Sequence, residues 1–172
     1  MKKFIILIDG PMGSGKSTVG ELLSKKLKRT ALINEDKIKW FISDFKRSKR
    51  DNAIIRSVLI EMAREFSKKS INLIIAQGFS KTHRPVTPFA KIAKQNKSKI
   101  FMYHLDAPKE ILLKRIKNRK KSKIIRAPIA KSRIHRNIRI WKKNRYTNGV
   151  EFNVDKMSAR SVVNKIIKDL KS

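Results

Sequence analysis

The chain has no cysteine among its 172 residues, which excludes disulfides and thiolate metal sites and suits a reducing, cytoplasmic setting. It also lacks any run approaching the roughly twenty apolar residues of a membrane-spanning helix, so no membrane contact is expected. Acidic residues are scarce: 13 Asp and Glu stand against 44 Lys and Arg, for a net charge of +31. Between Ile111 and Val150 there is no acidic residue at all. Such a surface attracts polyanions over a range set by salt screening, nucleic acid first among them. A Lys-rich proteome would explain the overall excess, but it would leave some Glu within residues 111–150. The start, MKKFIILIDG, imitates a signal peptide, yet Asp9 interrupts the apolar run, and export is not expected. No internal repeat is present.

What is there begins with residues 4–27, FIILIDGPMGSGKSTVGELLSKKL. Phe4 to Ile8 reads as a buried parallel strand, and Val19, Leu22, Leu23 and Leu27 fall on one face of a helix. Between them stands Gly10-Pro-Met-Gly-Ser-Gly-Lys16-Ser17, the G-x-x-x-x-G-K-[ST] phosphate loop. Gly10, Gly13 and Gly15 free the backbone to point N–H groups at phosphate oxygens, with the positive end of the helix behind them. Lys16 can reach the β and γ phosphates, and the Ser17 hydroxyl can ligate Mg²⁺. Met12, Ser14 and Thr18 complete the candidate nucleotide contacts. A nucleoside triphosphate is the implied ligand.

Alternating apolar runs and amphipathic stretches carry this pattern to the end of the chain. Strands are expected at 30–33, 71–76, 99–105 and 150–154. Helices are expected over about 52–68, 89–95, 132–143 and 159–170, with another opening after Asp106. This βα alternation predicts one α/β domain over residues 1–172, a three-layer fold with a parallel sheet. Residues just past strand ends line the crevice of such sheets, which brings Asn34, Glu35 and Asp36 near the phosphate loop. Asp36 could instead, or in addition, be the N-cap of a helix over 37–45. Arg115 and Arg119, four apart, share a helix side that should face the crevice. Trp40, Phe41 and Phe45 read as packing residues, His104 as packed and His135 as surface. His83 sits in a loop that could touch an acceptor, and Trp141, beside Lys142 and Lys143, is a candidate for stacking on nucleic acid.

The phosphate loop, Asp36 beyond the second strand, and Arg115 and Arg119 after the fourth together resemble the adenylate-kinase-like P-loop kinases. That superfamily includes shikimate and gluconate kinases, polynucleotide 5′-hydroxyl kinases, and the chloramphenicol phosphotransferase and zeta-toxin types. The resemblance implies a five-stranded sheet in the order 2-3-1-4-5, a basic helical lid near 115–145, and ATP with Mg²⁺. It implies γ-phosphoryl transfer to a hydroxyl of a small metabolite or of a nucleic-acid end. Asn34-x-Asp36-x-x-Lys39 resembles the segment in which polynucleotide kinases hold an aspartate base and a basic residue three positions on. By that resemblance Asp36 is the general base and Lys39 its cationic neighbour, with Lys standing where Arg is usual.

Arg115 and Arg119 match lid arginines, one for the transferring phosphate and one near adenine, with Arg126, Arg133 and Arg136 as further candidates. The third strand ends Ala76-Gln77-Gly78, without the carboxylate that many P-loop enzymes use for a metal-bound water. The metal would then draw on Ser17 and Asp36, or on Asp9, and Gly78 would allow substrate approach. RNA or DNA binding through residues 111–150 is a possible accompaniment. A nucleotide-gated RNA-binding or assembly NTPase, with no phosphoryl acceptor, is the alternative from another functional class.

Overall fold

The computed structural model describes residues 3–79, 86–118, 130–144 and 146–171. Five parallel strands form one sheet: β1 (Phe4–Asp9), β2 (Thr30–Ile33), β3 (Asn72–Ala76), β4 (Lys99–Asp106) and β5 (Val150–Asn153). Their order is β2-β3-β1-β4-β5, as expected. The register sets Ile5 beside Leu73 and Phe4 beside Lys99, so β1 lies at the centre. The helices are α1 (Lys16–Lys26), α2 (Glu35–Ile38), α3 (Lys49–Lys68), α4 (Thr87–Gln95), α5 (Lys109–Lys117), α6 (Lys131–Asn144) and α7 (Ala159–Asp169).

The unbroken apolar run of β1 has a direct cause. Phe4, Ile6 and Ile8 face a core built with Val19, Leu23, Leu112, Ile138 and Val162, while Ile5 and Leu7 face one built with Ile55, Leu59, Phe89 and Ile92. Helices therefore cover both faces, and every β1 side chain is buried. Each such Ile or Leu contributes about 1.5–3 kcal/mol of transfer free energy.

Three local expectations change. Helix α3 starts at Lys49, not Asn52, because the Ser48 hydroxyl accepts the Asp51 N–H at 3.0 Å and the Asp51 carboxylate accepts the Lys46 N–H at 2.8 Å. This Ser48 cap is hidden inside a basic run that reads as a turn. Phe41, expected to pack, is 77% exposed: residues 39–41 form only a single 3₁₀ turn, which leaves Phe41 outward while Phe45 packs on the core with α3 and α4. Trp141, considered for stacking, is fully buried in α6 beside Ile134, Asn137 and Ile138. A whole face of the basic helix is thus core.

Because all strands run the same way, the segments after β1, β2, β3 and β5 gather at one edge of the sheet. The candidate site lies there.

Candidate active site

A cavity of about 480 Å³ opens at this edge, lined from the phosphate loop by Gly10, Met12 and Gly13 to Thr18. Asn34, Glu35, Asp36 and Lys39 line it beyond β2, and Gln77 and Gly78 beyond β3. Arg115 and Asn137 line it from α5 and α6, and Met157 and Ser158 from the segment after β5. The residues read from the sequence as phosphate-binding and acceptor-binding therefore share one wall.

The loop is shaped by close packing. Gly13 has φ +89°, and a Cβ there would stand 2.7 Å from the Leu112 carbonyl and 3.1 Å from Ile116 Cγ1. Helix α5 rests directly on it. A Cβ at Gly15, at φ +92°, would meet nothing within 4 Å; the Gly15 carbonyl accepts the Val19 N–H at 3.0 Å and begins α1. The space beside Gly15 at a helix N-terminus is where an anion is best stabilised. Lys16 Nζ donates to the Pro11 carbonyl at 2.8 Å.

Asn34 ties the loop to the acceptor side. Its Oδ1 accepts the Asp36 N–H at 2.9 Å, capping α2, and its Nδ2 donates to Ser17 Oγ at 3.3 Å. Asn34, not Asp36, is thus the N-cap. That leaves the exposed Asp36 carboxylate to lie 3.0 Å from Lys39 Nζ. The same ammonium stands 2.8 Å from Glu35 Oε1, and Glu35 is buried. Lys39 therefore bridges a buried and an exposed carboxylate.

Arg115 lines the cavity and donates to the Val154 carbonyl at 2.6 Å, which directs it towards the β5 side. Arg119 and Arg126, together with His83, lie outside the described residues. Arg133 and Arg136 are exposed on α6 and are not among the cavity's lining residues. Asp9, held in reserve for a metal, is fully buried: its Oδ1 accepts the Phe79 N–H at 2.8 Å and its Oδ2 faces His104 Nδ1 at 3.2 Å. It is a strut between β1, β3 and β4 and does not line the cavity.

Sequence reasoning assigned no role to Asn137 or Gln77. Asn137, buried on α6, accepts the Met12 N–H at 2.9 Å, so that N–H is already committed within the loop. Nothing in a basic helix marks one Asn as a loop contact across 125 residues. Gln77 is buried in the cavity wall, and among the described residues its Oε1 has no hydrogen-bond partner. A buried acceptor left unmatched is costly unless a ligand or water meets it.

The residues suit a Mg²⁺ ion carried by phosphates better than a cage made by protein alone. Among the described residues no three His, Cys, Asp or Glu side chains cluster to hold a metal. The wall instead offers the Ser17 hydroxyl, steadied by Asn34, the Asp36 carboxylate and the unmatched Gln77 oxygen.

Residues 5–139 match the family AAA_33, described as an AAA domain. The chain belongs to this family. Solved structures share its fold at low identity. A sugar kinase from Janibacter sp. HTCC2649 superposes with a TM-score of 0.68 at 13% identity, over 99% of this chain and 95% of that one. The Mycobacterium tuberculosis APS kinase CysC, in complex with AMPPNP and APS, gives 0.61 at 16% identity, over 99% of each chain. A chain of the Pnkp1/Rnl/Hen1 RNA repair complex gives 0.65 at 20% identity, over 83% of this chain and 45% of that one. Comparison with curated proteins gives no match. This AAA_33 chain thus has the nucleotide-binding fold of the P-loop kinases.

Proposed function

We propose that the protein is an ATP-dependent kinase that transfers the γ-phosphoryl group to a hydroxyl of a small metabolite or of a nucleic-acid end. The observation that carries this reading is the single cavity lined at once by the phosphate loop and by Asp36, Lys39 and Gly78. In this reading the two substrates take opposite sides of the loop, in keeping with the strand order. The loop follows central β1, β2 and β3 lie to one side, and β4 and β5 to the other. The triphosphate occupies the centre, the acceptor meets Asp36 and Gly78, and the nucleoside extends towards Arg115, Met157 and Ser158.

The chemistry requires positioning and charge cancellation more than covalent help. Loop N–H groups and Lys16 hold the phosphates. Asp36 accepts the acceptor hydroxyl's proton as its oxygen bonds to the γ-phosphorus, and the bond from that phosphorus to the bridging oxygen breaks to release ADP. Lys39, ion-paired to Asp36, fixes the carboxylate's position, and Asn34 fixes both its backbone and Ser17. Mg²⁺, when bound through the phosphates and Ser17, supplies further neutralisation of the transferring oxygens. Arg115 closes over the nucleotide from the β5 side.

Incubation with γ-labelled ATP, Mg²⁺ and two acceptor pools, one of 5′-hydroxyl oligonucleotides and one of hydroxylated metabolites, tests this directly. Label is expected in one pool and absent from both in Lys16→Ala. Label released only as free phosphate would instead favour a nucleotide switch.

A further inference from the structure

We infer that the outward face of α6 is a binding surface for a nucleic-acid backbone. Successive helical residues are rotated by about 100°, so Arg136, Arg139 and Lys143 (i, i+3, i+7) line up along one stripe. The structure places Ile134, Asn137, Ile138 and Trp141 in the core on the opposite side, and leaves Arg136, Arg139 and Lys143 exposed. Arg133 and His135 flank the stripe and are exposed as well. Among the described residues none of the three stripe cations forms an ion pair, whereas Lys142 is drawn to Asp106 at 3.8 Å and to the Ala107 carbonyl at 3.4 Å. Arg136 to Lys143 spans about 10 Å along the axis, longer than one phosphate group and outside the cavity that would take ATP.

Three features select the partner class. The helix's apolar side is buried in the core, so α6 cannot lie on a lipid surface by immersing an apolar face. The large exposed hydrophobics, Phe41, Ile54, Val58, Phe66, Ile100 and Val150, all lie off α6, so the stripe lacks the apolar anchors of a protein interface. A stripe of one sign, in a segment with no acid from Ile111 to Val150, has the composition of nucleic-acid interfaces. Helix α6 also holds the phosphate loop through Asn137, so the stripe is carried by an element that contacts the cavity on its other side.

The test is fluorescence anisotropy with a labelled single-stranded RNA 20-mer across a KCl series. The triple variant Arg136→Gln/Arg139→Gln/Lys143→Gln is compared with Lys91→Gln/Lys94→Gln/Lys97→Gln. The control removes equal charge around α4, which packs on the opposite sheet face. Far-UV circular dichroism and the thermal midpoint establish that both variants fold. The α6 variant is expected to bind at least about tenfold more weakly, and to lower the slope of log K against log salt by about 2, three cations at roughly 0.7 each. The control should keep most of the native affinity. Equal losses in the two variants, native binding by the α6 variant, or binding only to anionic vesicles or poly-glutamate would overturn the inference. Lys16→Ala, which tests phosphoryl transfer, is expected to bind the RNA normally, so the two readings fail separately.

Discussion

Asp36 and Gly13 show how much a single position can carry. If Asp36 takes the acceptor's proton, Asp36→Asn should lower the transfer rate by about 10²–10⁴-fold, the usual contribution of a positioned base. ATP affinity should stay within about twofold, because Asn34 still caps α2 and still meets Ser17. Isothermal titration with ATP alongside steady-state rates separates the two effects; unchanged kcat would remove Asp36 from the mechanism. Gly13→Ala acts differently. The new methyl would face the Leu112 carbonyl at 2.7 Å in a left-handed backbone that costs about 1–3 kcal/mol for other residues. Helix α5 or the loop must shift, so both the thermal midpoint and ATP affinity should fall together. At this scale the phosphate loop was legible in the sequence because its eight residues are contiguous. Glu35 was placed near the loop by its position after the second strand, but its burial follows from where α2 docks and not from sequence spacing.

Among the elements, the helix ends are instructive. Lys97 sits at φ +52° just beyond α4, while the Ser98 N–H returns to the Ala93 carbonyl at 2.9 Å in the manner of a glycine-terminated helix. Arg29 and Ser70 hold the same conformation after α1 and α3, at φ +50° and +60°. A left-handed non-glycine residue costs about 1–2 kcal/mol, partly offset by the greater unfolded-state freedom of glycine. Lys97→Gly should therefore raise stability by about 0.5–1 kcal/mol in urea unfolding, and a destabilised variant would contradict the strain argument. The helices themselves were readable from their 3.6-residue periodicity, which located α6 to within a residue at each end. Which side of α6 faced inward was the harder matter. The family resemblance implied a lid there, whereas Ile134 and Ile138 pack into the core with residues of β4 and β5, and Trp141 is buried on the same helix.

For the molecule as a whole, pH acts through a buried relay. His104 Nδ1 faces the Asp9 carboxylate and Nε2 faces the Asn148 carbonyl at 2.9 Å. Both partners only accept, so both ring nitrogens donate and the imidazolium is the matched form. Burial is the largest influence and would lower the His104 pKa; the bonds to Asp9 and Asn148, with the charges of Asp9 and Glu151, outweigh it and raise the pKa. A raised folded-state pKa contributes stability that is full below the unfolded value, near 6.5, and is lost as pH climbs through the folded one. The thermal midpoint should thus fall from about pH 6 to about pH 9, and fall less in His104→Gln. An equal fall in both proteins would assign it to other groups. With a net charge of +31, moderate salt should raise the midpoint across this range by screening self-repulsion.

The sequence by itself determined the phosphate loop, the alternation of strands and helices, and the basic character of residues 111–150, because each is a property of neighbouring residues. The tertiary structure decided what those pieces do to one another. Asn137 reaches Met12 across 125 residues, and His104 reaches Asp9 across 95. Such contacts depend on how helices dock on a sheet, a sum of many small packing terms that no local pattern encodes.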